Sequence, residues 1–354
     1  MSGNATRPEP TGPAAVLCGL GGALPARAVS NDELAAQLDT SDAWIRSRTG
    51  IGQRHVIAPG QATSDLAVEA GARALASARD TAGPAAAEVD LLVLATSTPD
   101  RPCPATAPVV AQRLGLGTVP AFDVAAVCTG FVYALATAGS LIEAGVARRA
   151  LVIGADTFST ILDPADRTTR ALFGDGAGAV VLRAGTRDEP GALLGYDLGS
   201  DGQGVDLITV RAGGSRQRSE PGPPPEADRW FTMRGSSVFR EAVLSMSDSA
   251  RALAERTGWD PAGPDKLVAH QANVRILRAV GDQLGLDEKQ IVVHLDRVGN
   301  TVAASIPLAL TDAAGEGALQ PGHRVLLTGF GGGLTWGSAA LVWPDVVTGP
   351  PGTV

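Results

Sequence analysis

The run AFDVAAVCTGFVYALATAGSLIEAG, residues 121–145, changes its period in the middle. From Ala121 to Val127 it is a short apolar, strand-like stretch. From Phe131 onward the apolar residues recur at spacings of three and four, the pattern of a helix. Cys128 stands at the change, so its thiol is expected in the first turn of a helix, where unpaired N–H groups and the positive dipole end favour an anion. A thiol so placed has its pKa lowered and is a usable nucleophile near neutral pH. The competing reading is an inert core thiol, because free cysteine is among the most buried residue types.

Two further segments break in the same way. KLVAHQANVRIL (266–277) puts His270 at the end of an apolar strand-like run just before a helical pattern, and HLDRVGNTVAASIPLAL (294–310) puts Asn300 in a Gly-Asn-Thr turn. Taken singly, such a His is an ordinary structural residue and such an Asn an ordinary turn residue. Their shared position is what counts: ligands and reacting groups of α/β sheets collect where buried strands end. Cys128, His270 and Asn300 together suit acyl-thioester chemistry.

At 354 residues the chain is long for a single core, and two similar lobes are expected. VDLLVLATSTP (89–99) and PDKLVAHQAN (264–273) both read as a buried strand entering a loop. FGDGAGAVVL (173–182) and FGGGLTWGSAALV (330–342) are both Gly-rich turns feeding a strand. This weak duplication predicts an α/β chain of two halves, 15–190 and 191–354, after a frayed tail at 1–14, with an exposed Pro-rich excursion at 212–229. A formal net charge of −8 argues against a nucleic-acid binder and against adhesion to acidic membranes. Only Lys266 and Lys289 are lysines, so arginine carries nearly all the positive charge. Cys18, Cys103 and Cys128 form an odd set without metal-ligand spacing, and no run approaches the ~18 apolar residues of a membrane span. A soluble cytoplasmic protein without a metal is expected.

With these residues in view, the chain resembles the β-ketoacyl-acyl-carrier-protein synthase III family, the chain-initiating condensing enzymes of the thiolase superfamily. The resemblance rests on six blocks in the family's order: TSDAWIRSRTGI (40–51), the Cys128 segment, LDPADRTTRALFGDGAGAVVL (162–182), AHQANVRIL (269–277), GNTVAASIPLAL (299–310) and GFGGGLTWGSAALV (329–342). It implies a thiolase-like fold of two pseudo-duplicated halves in five αβαβα layers, acting as a homodimer. It also implies a reaction: Cys128 takes an acyl group from a short acyl-CoA, then malonyl-acyl-carrier protein loses carbon dioxide and its carbanion attacks the acyl-cysteine. Acyl-CoA is then a substrate, and no cofactor is called for.

The resemblance assigns roles residue by residue. His270 and Asn300 stabilise the oxyanion on the malonyl thioester, and the amides of Cys128 and Gly333 serve the acyl oxyanion. Trp44, Arg48 and Arg167 meet the nucleotide end of CoA, while Asn273 meets the pantetheine arm. Phe173 lines the acyl tunnel, and Arg240 and Arg275 dock the acidic carrier protein. Two departures stand out. Where many relatives carry two adjacent lysines, this chain has Asp282 and Gln283, which makes the docking face less positive. Cys103, in TPDRPCPATAP (98–108), replaces a Phe that crosses the dimer interface into the partner's acyl pocket, so larger primers are expected. His55, His294 and His323 receive no role.

Rival readings are weaker. The glycines of GDGAGAVV (174–181) precede a strand, not a helix, which argues against a nicotinamide oxidoreductase. A degradative thiolase would want a second cysteine near the C-terminus, a hydroxymethylglutaryl-CoA synthase a glutamate before the Cys128 segment, and a chain-length factor would lack the nucleophile. An acyltransferase of this fold that skips decarboxylation is opposed by Asn300. Housekeeping fatty-acid initiation is the alternative to a role in secondary metabolism.

Overall fold

The computed structural model describes residues 12–259 and 263–354. Most of the tail expected at 1–14 lies outside the described residues, and Pro13 already opens a strand. One sheet has six strands: β1 (Pro13–Leu24), β2 (Leu91–Ala95), β3 (Ala121–Val124), β4 (Arg149–Asp156), β5 (Gly176–Thr186) and, from the C-terminus, β10 (Gly352–Thr353), in the order β10-β1-β5-β4-β2-β3. A second sheet has four: β6 (Leu193–Ser200), β7 (Lys266–Ala269), β8 (Arg324–Gly331) and β9 (Thr335–Val342), in the order β7-β8-β9-β6. The principal helices are α1 (Asp42–Thr49), α2 (Thr63–Ala82), α3 (Gly130–Glu143), α4 (Gly235–Thr257), α5 (Val274–Gln283) and α6 (Ser305–Gly315).

The two sheets repeat one plan. In the first, β1 and β4 flank β5 antiparallel and β2 joins β4 in parallel. In the second, β6 and β8 flank β9 antiparallel and β7 joins β8 in parallel. Even the edge strand β3 has a vestige in the second half, an isolated parallel bridge from Leu267 to Ile291.

Burial orders the layers. Helices α3 and α6 pack between the sheets, where Phe131, Leu135 and Ile142 meet Ile306, Leu310, Val152, Val180, Val268 and Leu327 in one core. Fully burying each of these larger side chains contributes about 1.5–3 kcal/mol, which is why the most apolar helices of the chain lie innermost. Helix α2 covers the outer face of the first sheet, and α4 with α5 covers that of the second. A Cβ at Gly19 or Gly21 of β1 would lie 2.5 or 2.4 Å from backbone oxygens of α2, so glycine there lets helix and strand touch. The result is a thiolase-like α/β fold in five αβαβα layers. The excursion expected at 212–229 carries short turns of helix, and Phe231 beyond it returns to the core. Among the described residues, no helix is long and apolar enough to cross a membrane.

Candidate active site

Strand β3 ends at Val124, and the chain then turns sharply. Val127 takes φ +47°, a 3-10 turn spans Val127–Thr129, and α3 follows. Cys128 is thus held between the central helix and the loop after β8. The start of β9 is sewn to its neighbours: the Thr129 hydroxyl donates to the Thr335 carbonyl (3.1 Å), and the Thr335 hydroxyl donates to Ala126 O (3.3 Å). A Cβ on Gly331 would lie 2.8 Å from the Cys128 amide nitrogen, so only glycine leaves room beside that N–H. Gly333 lies two residues farther on, at φ +142°, and a Cβ there would meet Thr335.

The thiol is not the lowered-pKa group its helix position suggested. Burial, reinforced by the Asp156 carboxylate, pushes it well above its ordinary value, and one backbone hydrogen bond only partly opposes the shift. Loss of water outweighs the field of a single short turn. Cys128 therefore rests as a protonated thiol.

His270 directly follows β7, and its amide donates to Thr328 O (2.8 Å) on β8. Its ring is buried, and burial alone lowers its pKa to about 3, so the imidazole is neutral. Its Nδ1 lies 2.7 Å from the Ser305 hydroxyl on α6. Asn300 is pinned by its backbone, its N–H donating to Leu172 O (2.9 Å) and its carbonyl accepting from Gly174 N (3.0 Å). Its side-chain Oδ1 accepts the Val302 N–H (3.0 Å), an Asx-type turn that holds Val302 at φ +54°. With Oδ1 engaged, the Nδ2 hydrogens are the part of the amide left to donate.

Cys128, His270 and Asn300 line one cavity of about 710 Å³ measured out to its open mouth. Phe173 and Asn273 line it too. Phe158, Phe173 and Phe231 cluster in its wall with ring centroids 4.7, 4.9 and 5.1 Å apart. Asn273 also caps α5, its Oδ1 accepting from Arg275 N (2.8 Å) and Ile276 N (3.2 Å). Trp44 sits in α1, capped by Ser41, and its indole meets the guanidinium of Arg48 at 4.9 Å and that of Arg167 at 5.1 Å. The three residues expected at the nucleotide therefore form one surface cluster. Arg275 stands over the ring of Phe239, which lines the cavity, and Arg240 follows Phe239 in α4. Cys103 is exposed and does not line the cavity of its own chain. His55, His294 and His323 lie outside the cavity lining.

Four features escaped the reading of the sequence. Ser305 contacts the His270 ring, and Gly331 abuts the Cys128 amide. Phe158 and Phe231 extend the aromatic wall. Asp156, at the end of β4, is fully buried. It accepts hydrogen bonds from Ser97 N (2.7 Å), the Thr98 hydroxyl (3.0 Å) and Ala303 N (3.0 Å), yet burial still raises its pKa to about 6. The carboxyl end of β4 was the only available signal for Asp156. The aromatic pair had none beyond hydrophobicity.

A buried thiol, a neutral imidazole and a carboxamide meet in one apolar channel, a set that suits a thioester-condensing acyltransferase. Models of 3-oxoacyl-[acyl-carrier-protein] synthase III and of its C-terminal region match residues 122–202 and 254–343. Beta-ketoacyl-[acyl-carrier-protein] synthase III 5 of Streptomyces coelicolor is 63% identical, the match covering 94% of this chain and 98% of that protein. A Pseudomonas aeruginosa synthase III is 57% identical with the same coverage. The crystal structure of FabH from Pseudomonas aeruginosa PAO1 overlays with a TM-score of 0.86 at 56% identity, over 94% of this chain and 99% of that one. The priming β-ketosynthase of the R1128 polyketide pathway overlays at 0.85 and 34% identity, over 95% and 98%. The chain belongs to the β-ketoacyl-[acyl-carrier-protein] synthase III family and is a ketosynthase that catalyses the family's condensation.

Proposed function

We propose that this ketosynthase starts acyl chains, taking a short acyl-CoA as primer and malonyl-carrier protein as extender, as a cytoplasmic homodimer that needs no cofactor. The observation that carries the reading is the meeting of Cys128, His270 and Asn300 on a single apolar channel. In the first half-reaction the Cys128 sulfur attacks the thioester carbonyl. The carbon–sulfur bond to CoA breaks, and the proton of Cys128 leaves with the CoA thiol. The Cys128 amide serves the transient oxyanion, and the adjacent glycine loop completes the hole. Trp44, flanked by two guanidinium groups, suits a purine base near phosphates.

In the second half-reaction the carboxylate of the malonyl group leaves as carbon dioxide, and the electron pair moves onto the thioester oxygen. His270, held neutral by burial, and the Asn300 carboxamide donate to that oxygen without transferring a proton. The carbanion then attacks the acyl-cysteine and expels the sulfur, giving the β-ketoacyl-carrier protein.

A place in secondary metabolism, priming a fatty-acid-like or polyketide chain, is supported by the relatives. Synthases III numbered 5, 3 and 2 of one Streptomyces coelicolor strain are 63, 59 and 54% identical to this chain, so a single organism runs several copies. Exposed Asp282 and Gln283 on α5 favour a carrier less acidic than the housekeeping one. Primer-CoA competition with both kinds of carrier protein tests this. Preference for a primer larger than acetyl on a dedicated carrier is expected. Acetyl-CoA preference with equal use of the fatty-acid carrier would place the enzyme in housekeeping initiation.

A further inference from the structure

Ser305 is the first residue of α6 and is buried. Its hydroxyl oxygen lies 2.7 Å from His270 Nδ1 and accepts the Gln271 N–H at 3.3 Å. Gln271 is itself locked, its side chain donating to Ala269 O and Val292 O and accepting from the amides of His294 and Leu295. A hydroxyl has one hydrogen to donate, and a buried one must spend it. Among the described residues, His270 Nδ1 is the only acceptor within reach of that hydrogen.

We propose that Ser305 is a positioning residue that fixes the tautomer of His270: Gln271 N–H donates to Ser305 Oγ, Ser305 O–H donates to Nδ1, and the ring proton is confined to Nε2. Nδ1 then carries no hydrogen, and Nε2–H is the donor offered to the channel. The opposite tautomer would leave the serine hydrogen buried without a partner and would present a lone pair to the thioester oxygen, repelling it. The chain of contacts starts on the backbone, which cannot change its polarity, so the order of donors is set by the fold. It also separates the half-reactions: Nε2–H serves the decarboxylation oxyanion, whereas acylation of Cys128 uses backbone amides. The inference rests on the proposed donor role of His270.

The test uses nitrogen-15 NMR of the imidazole rings in the full-length enzyme, with His270 assigned by its loss in His270→Ala. Nδ1 unprotonated and Nε2 protonated is the expected signature in the wild type. Ser305→Ala should mix the two tautomers and slow malonyl decarboxylation on the pre-acylated enzyme about tenfold, the scale of one lost hydrogen bond. Cys128 acylation should change less than twofold, and Ser305→Thr should restore the tautomer. A protonated Nδ1 in the wild type, or an unchanged tautomer in Ser305→Ala, would overturn the inference. Equal slowing of both half-reactions by Ser305→Ala would do the same. Independently, undiminished decarboxylation in His270→Ala would remove the donor role on which it rests.

Discussion

Replacing Asn300 separates its two atoms. Oδ1 holds the Val302 amide at 3.0 Å, while Nδ2 is left to donate. Asn300→Ala removes both. The lost donor should slow decarboxylation by about 100- to 1000-fold, or roughly 3–4 kcal/mol, at every pH. The orphaned, buried Val302 N–H should lower stability by a further ~1–3 kcal/mol. Asn300→Asp keeps the acceptor, so stability should hold. Ionised, however, it sets a negative charge against the developing oxyanion, a repulsion of about 4 kcal/mol at 4 Å and an effective dielectric of 20. Protonated, it carries an O–H that can donate. Decarboxylation by Asn300→Asp should therefore rise as pH falls, about tenfold per unit above the new carboxyl's pKa. The assay is carbon dioxide release from malonyl-carrier protein on pre-acylated enzyme between pH 5 and 8, with acyl-adduct mass scoring the first half-reaction. A flat pH profile for the Asp variant, or an Ala variant impaired equally in acylation, refutes the reasoning.

Incubation with acetyl-CoA should add one acetyl group by intact mass, and Cys128→Ala should show none; an adduct surviving in that variant would assign the nucleophile elsewhere. Because burial keeps His270 neutral down to about 3, its ring resonances should not titrate between pH 8 and 5; a midpoint near the ordinary imidazole value contradicts this. Trp44→Ala should raise the KM for acyl-CoA about 5- to 30-fold, from 1–2 kcal/mol of lost stacking, with kcat for condensation unchanged; an unchanged KM removes the nucleotide site from α1. Asp156 is raised to about 6, so the folded state binds its proton more tightly than the unfolded one. The wild type's stability relative to Asp156→Asn should be greatest near pH 4 and decline by up to about 3 kcal/mol as pH passes 6; chemical denaturation at pH 4, 5, 6 and 7 measures the trend, and a constant difference would refute it.

The fold was legible because its two signals are local. The change of period at Cys128 marks a buried strand entering a central helix, and the paired Gly-rich turns mark the repeat. That Cys128, His270 and Asn300 share one channel was legible because each stands at such a break. The thiol's pKa was not, since burial depends on the turn at Val302–Ala304 and on β8, which lie more than 170 residues away. Ser305 was hidden for a related reason: its contact with His270 spans 35 residues and needs the register of α6. Gly331 was one glycine among four in GFGGG, and only its packing against Cys128 singles it out.

The repeat has a chemical consequence. By strand register Asp156, the last residue of β4, corresponds to Gly331, the last of β8, and the 3-10 turn holding Cys128 corresponds to the one holding Ala303. Each half thus sets a 3-10 turn at the entrance of its inner helix. Beside one of them, the Asp156 carboxylate accepts the Ala303 N–H. At the other, Gly331 sets no side chain beside the Cys128 amide. A scaffold copied twice thereby carries a carboxylate beside one of these turns and bare backbone beside the other.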